Sequence, residues 1–159
     1  MRWAALTTVL PLCFISIVPV AAEEKPLRLS VNVEAISDEN VASSIKVIMQ
    51  IQRKHGAISS IAFLKSCYGL ITLHSSYRKV ERCMAMDYAL CTFLMASDFK
   101  NLLDLYDGYC RPDRFDRRLN FWFDEVLDGN ANKDHFGDRF ISSAQAGFTS
   151  YANQIKSDR

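Results

Sequence analysis

Asp87 is the residue best placed to do chemistry. It lies in Cys83-Met84-Ala85-Met86-Asp87-Tyr88, four residues after Cys83 and four before Cys91. At that spacing the three side chains share one face of a helix. If the cysteines point inward, the carboxylate does too, and a buried carboxylate must be paired, hydrogen-bonded or raised in pKa. One reading is a catalytic or ligand-binding acid in a helix-lined pocket. The other is a core anchor bonded to an arginine, a tyrosine or a helix amino-terminus. No base or nucleophile stands at a recognisable spacing from Asp87, which favours the anchor.

Three further groups of residues bear on chemistry. Asp128-Gly129-Asn130-Ala131-Asn132-Lys133-Asp134 carries oxygen ligands at alternate positions, like the first half of an EF-hand loop. Lys133 takes the place of the turn glycine, however, and Arg139 that of the bidentate glutamate, so both departures bring positive charge towards an ion. Turn and helix-end chemistry explains the same Asn and Asp residues. His55, His74 and His135 are scattered, with no H-x-x-x-H pair, and no G-x-S-x-G or phosphate-binding glycine loop occurs. No metal or cofactor is expected. Finally, Arg111, Arg114, Arg117 and Arg118 interleave with Phe115, Phe121, Trp122 and Phe123. Arginine among aromatics is the composition of a protein-binding hot spot, with Arg114, Arg117, Arg118, Phe121 and Trp122 as its candidates. It is also that of an amphipathic helix with a solvated basic side.

The elements that must position these residues are helical. Ser37 or Asp38 can cap a first helix, whose apolar face is Val41, Ile45, Ile48 and Ile51 and which Gly56 stops. A second helix over about 58–73 is apolar on much of its circumference and is expected to be central; a third runs over about 78–99. The two are joined at His74-Ser75-Ser76-Tyr77, and Cys67 and Cys83 are equally distant from Ser75. An antiparallel hairpin therefore sets them opposite each other, which leaves Cys91 for Cys110. Four cysteines allow three connectivities, and this pairing is a geometric preference among them. Cys67-Tyr68 with Cys83-x-x-x-Asp87-Tyr88 resembles a pattern in small exported α-helical proteins of alphaproteobacteria with no assigned role. The resemblance covers the hairpin alone; it implies a disulfide-clamped helical domain in the periplasm and supplies no catalytic residue.

Pro112 and Asp113 open a fourth helix with Phe115, Leu119, Trp122, Phe123 and Val126 on one face, closed by Gly129. A fifth, over about 133–155, aligns Phe136, Phe140, Ala144, Phe148, Tyr151 and Ile155. Residues 23–36 hold an alternating apolar piece without an evident strand partner and are expected to form an extended or flexible arm. The expected architecture is an all-α single domain, 37–159, a bundle of four to five helices.

Residues 1–22 have the form of a cleaved secretory signal peptide: Arg2, an apolar run from Trp3 to Val18, and Val20-Ala21-Ala22. Cys13 lies within it, so four of the five cysteines belong to the mature chain, an even number suited to disulfides in a periplasmic or secreted protein. The whole chain has 19 basic and 18 acidic residues, and losing Arg2 makes them equal. That balance argues against nucleic acid or an anionic membrane as partner, and no second apolar run is long enough to span a bilayer. A binding role is therefore expected, with a protein in the exported compartment as partner, in the manner of an inhibitor or immunity-type module. The competing expectations are a carrier or enzyme using Asp87, and a calcium-stabilised module.

Overall fold

The computed structural model describes residues 36–71, 75–97, 108–127 and 133–157, with the backbone alone for 125–127 and 133–135. The expected leader (1–22), most of the arm (23–35), His74, the side chain of His135 and the 128–134 loop with its cation question lie outside what is described. Every element among the described residues is a helix: α1 (Asp38–Gly69), α2 (Tyr77–Ala96), α3 (Pro112–Leu127) and α4 (Lys133–Ser157).

Ser37 caps α1, its hydroxyl accepting from the Asn40 N–H at 3.2 Å, and Asp38 and Glu39 occupy the first turn beside the positive end of the helix. Gly56 breaks α1 with φ 77° and ψ 179°. A side chain is strongly disfavoured in that region of backbone space, whereas glycine enters it freely. The break reverses the chain, as contacts with α2 show. At the start of the first rod (38–55), Asn40 donates to the Arg78 carbonyl at 3.2 Å, and further on Met49 lies beside Phe93, so this rod runs parallel to α2. In the second rod (57–69), Cys67 is bonded to Cys83, and Lys79 donates to the carbonyl of Leu70, so it runs antiparallel. α1 is thus a helical hairpin folded around α2.

α3 descends along α2, with Cys110 on Cys91, Phe115 beside Tyr88 and Trp122 against Tyr68. α4 rises beside the first rod and parallel to it. Arg139 and Ser143 meet Asp38, while Gly147 lies so near the rod that a Cβ there would stand 2.9 Å from Ile45 Cδ1 and 3.4 Å from Ala42 Cα. Phe123 meets both Phe136 and Phe140 edge-on, closing α3 onto α4.

The central element is α2, not the second rod. α2 buries Val80, Glu81, Cys83 to Asp87, Ala89 to Cys91 and Leu94, whereas the second rod leaves Ile58, Phe63 and Leu70 exposed. An apolar circumference marks a central helix only when neighbours cover all of it, and the hairpin at Gly56 puts the second rod on the outside.

Gly56→Ala should cost about 1–3 kcal/mol of stability, because no atom crowds a Cβ there and backbone strain alone opposes it. Urea unfolding followed by circular dichroism measures this; an unchanged midpoint would mean that the reversal does not depend on glycine.

Candidate functional site

Two disulfides frame Asp87. Cys67–Cys83 ties the second rod to α2 with Cα atoms 5.8 Å apart, and Cys91–Cys110 ties α2 to the turn before α3 at 5.0 Å. This is the connectivity expected from the hairpin register and from elimination. Such bridges contribute on the order of 2–4 kcal/mol each, chiefly by restricting the unfolded chain. Each also delivers a tyrosine to the same place, since Tyr68 follows Cys67 and Tyr109 precedes Cys110.

Asp87 is fully buried, and both of its oxygens are occupied. Arg118 grips it in a fork, Nε to Oδ2 at 2.9 Å and Nη2 to Oδ1 at 3.0 Å, and the Tyr68 hydroxyl donates to Oδ2 at 3.1 Å. The remaining reach of the guanidinium is used as well. Nη1 donates to the Tyr109 carbonyl at 2.6 Å and to the Arg114 carbonyl at 3.3 Å, and the group sits 3.8 Å from the centre of the Tyr109 ring.

Burial pushes the Asp87 carboxyl above its ordinary range; the bonds from Arg118 and Tyr68 pull it down by less. On Arg118 burial acts to lower the pKa, but its bonds to Asp87 and the carboxylate's charge prevail and raise it. Burial, then the charge of Asp87, drives the phenols of Tyr68 and Tyr109 well above the usual tyrosine value. The result is a closed ionic cluster. Both oxygens of its acid are bonded, and its phenols stay protonated at neutral pH. It is the core-anchor arrangement, with both an arginine and a tyrosine as partners.

The aromatic-arginine group on α3 divides in two. Trp122 is not a surface contact, as the hot-spot grouping had it, but is buried in a parallel stack on Tyr68, ring centres 5.2 Å apart. Arg118 is drawn in by Asp87 and keeps only an edge, 23% of its side chain, at the surface. Arg114, Arg117 and Phe121 face outward. Arg117 pairs with Asp113 at 3.0 Å, an exposed i,i+4 contact worth little.

A second buried carboxylate escaped the sequence reading. Glu81, fully buried, accepts from Arg78 Nη1 at 3.1 Å, from the Asn40 side chain at 2.5 Å and from the Ser37 N–H at 2.8 Å. In a capping box the third residue of a helix reaches back to the N–H of the cap. Here that residue is Asn40, and Glu81 of α2 supplies the carboxylate instead. The i,i+3 spacing of Arg78 and Glu81 was a visible signal; the link to Ser37 had none. At the same end, Asp38 accepts from the Ser143 hydroxyl at 2.6 Å and from Arg139 at 2.9 Å, contacts that hold its carboxyl below the usual range. Arg139, counted above against calcium, is thereby engaged with α1. His55 is exposed at the end of the first rod.

Comparison with known proteins finds no family model, no curated relative and no solved structure that matches this chain.

Asp87→Asn and Arg118→Met should each cost about 3–5 kcal/mol, because each leaves a buried charge without its partner. In Arg118→Met the carboxyl of Asp87 rises further, so that variant should regain stability as pH falls through the raised value. Denaturant titrations at neutral and acidic pH decide; a melting curve unchanged by Asp87→Asn would overturn the anchor.

The Tyr109 hydroxyl is buried without a hydrogen-bond partner among the described residues. Tyr109→Phe should therefore stabilise the protein by about 1 kcal/mol at neutral pH. Because its folded pKa is raised, the stability linked to the phenol is complete below pH about 10 and lost as pH rises beyond it. The variant should accordingly lose stability less steeply in alkali.

Proposed function

We propose that this is an exported protein that works by binding another protein, as small inhibitor or immunity-type modules do, and that it performs no catalysis. One observation carries the reading. The acid best suited to chemistry is closed on both oxygens, while the helix that supplies its arginine turns Phe121, 49% exposed, to the outside among arginines. Arg114, Arg117 and Phe121 line an open groove together with the edge of Arg118. Phe121 stands edge-on to the buried Trp122 at 5.2 Å, so the ring rests on a rigid base. An aromatic on a fixed footing with guanidinium groups around it is the composition of a binding hot spot.

Export is supported by the leader-like residues 1–22 and by the two disulfides, which persist in oxidising compartments. No described helix is long and apolar enough to cross a membrane. The carrier or enzyme reading needs a free face on Asp87, and both of its oxygens are already bonded to Arg118 or Tyr68.

The test is capture from the exported fraction with the oxidised protein as bait. A single stoichiometric partner is expected, lost with the double variant Arg117→Glu and Phe121→Asp, whose melting temperature should stay close to the parent's because both sites are exposed. Capture of the same partner by that variant would sink this surface, and recovery of no specific protein would sink the function.

A further inference from the structure

We propose that the cleft between the first rod of α1 and the last turns of α4 is a binding site for a single-chain anionic amphiphile, an alkyl carboxylate of the fatty-acid type. It lies on other elements than the α3 surface and does not depend on that reading.

The cleft follows from the parallel course of these two rods. They touch closely at Gly147 and Ile45, where the lack of a side chain permits it, and further along Phe148, Tyr151 and Ile155 stand away from Met49. Phe93, from the end of α2, floors the gap. Phe93, Phe148, Tyr151 and Ile155 are each half-buried, and the first three pack one side against the core and leave the other to the cleft. The apolar part of the trench has a volume of about 280 Å³. It opens into a wider, more polar mouth edged by Lys46, Arg53 and Lys54. Lys156 edges the apolar part.

The charge of this rim selects the ligand. Lys46, Arg53, Lys54 and Lys156 are all cationic, and among the described residues no Asp or Glu lines the cleft and none of the four has a carboxylate partner. The carboxyl ends of the first rod, α2 and α4 meet here, each carrying the equivalent of roughly half a negative charge, and the amino end of the second rod returns about half a positive one. Together these ends offset about one of the four cations, and Lys46, two turns back from the end of its rod, lies beyond the reach of the dipole. A local positive excess thus remains in a protein of net charge +1. An apolar trench with one positively charged mouth suits a ligand with one apolar tail and one negative head. The alkyl chain would displace water from Met49, Phe93 and Phe148, and the carboxylate would meet Lys46 and Lys54.

Calorimetric titration of the oxidised protein with dodecanoate, dodecanol and dodecyltrimethylammonium, all below their micelle concentrations, tests this. One saturable site for dodecanoate is expected, with the alcohol weaker and the cation weakest. The exposed double variant Lys46→Glu and Lys54→Glu should weaken dodecanoate by about tenfold while leaving dodecanol unchanged. Ile155→Asp, checked for an unaltered melting curve, should weaken both. Absence of saturable binding of dodecanoate, equal affinity for all three heads, or indifference to the charge reversal would each overturn the proposal.

Discussion

A carboxylate withdrawn from water must find its partners within the protein, and Asp87 places that demand at the centre of α2. The demand determines where α3 can lie. Arg118 must arrive within hydrogen-bond reach of Asp87, and the same guanidinium is held by the carbonyl and ring of Tyr109. One turn along α2, Cys91 is bonded to Cys110, the neighbour of Tyr109. A slip of α3 by one turn would break the ion pair, the ring contact and the stack of Trp122 on Tyr68 together. Net stability is not the main return, since a buried pair can be replaced by apolar side chains at little loss. What the pair supplies is discrimination, because an apolar face packs almost as well one turn out of register and a forked ion pair does not.

Glu81 repeats the device on another side of the same helix. It lies six residues before Asp87, which puts the two carboxylates about 120° apart around α2. Asp87 receives α3, whereas Glu81 receives the first turn of α1 through Ser37 and Asn40. The third junction, α4 on α1, is made by Asp38 with Arg139 and Ser143 at an exposed end, where solvent weakens it. Close approach at Gly147 accounts better for that contact. The bundle is thus keyed by buried acids where α2 meets its neighbours, and by shape where α4 is added from outside.

How much of this could be read from the residues depended on how local the cause was. The cap at Ser37, the break at Gly56, the start at Pro112 and the pairing of Cys67 with Cys83 follow from short-range rules, and all are present. The burial of Asp87 followed from its place between two bridged cysteines. Its partner did not, because Arg118 is 31 residues away and looked like any basic residue on an amphipathic helix. For the same reason nothing marked Arg118 as turned inward while keeping an edge on the groove, whereas the hydrophobic period of α3 already placed Trp122 inside. The choice of the second rod as the central helix failed because periodicity reports how apolar a helix is and not which neighbours cover it. Gly56 was legible as a stop, but a stop does not say whether the chain bends or folds back. That answer is held in contacts between Asn40 and Arg78 and between Cys67 and Cys83, on opposite sides of the break.

The same reversal explains why this fold has surfaces left to use. With the first rod turned parallel to α2, α4 also lies parallel to it, and parallel neighbours bring like ends of their dipoles together. Such an arrangement is less favourable than an antiparallel one and calls for cations at the shared carboxyl end, which Arg53, Lys54 and Lys156 supply. Cations placed to relieve a dipole cannot also be withdrawn into ion pairs, so they stay at the surface. The rods part beyond Gly147, and apolar side chains that would fill a closed core are left half-covered there. In the described interior, by contrast, Asp87 and Glu81 are both bonded, and the two tyrosines beside the Asp87–Arg118 pair stay protonated at neutral pH. With Asp87 and Glu81 bonded within the fold, the proposed recognition falls to side chains at the surface.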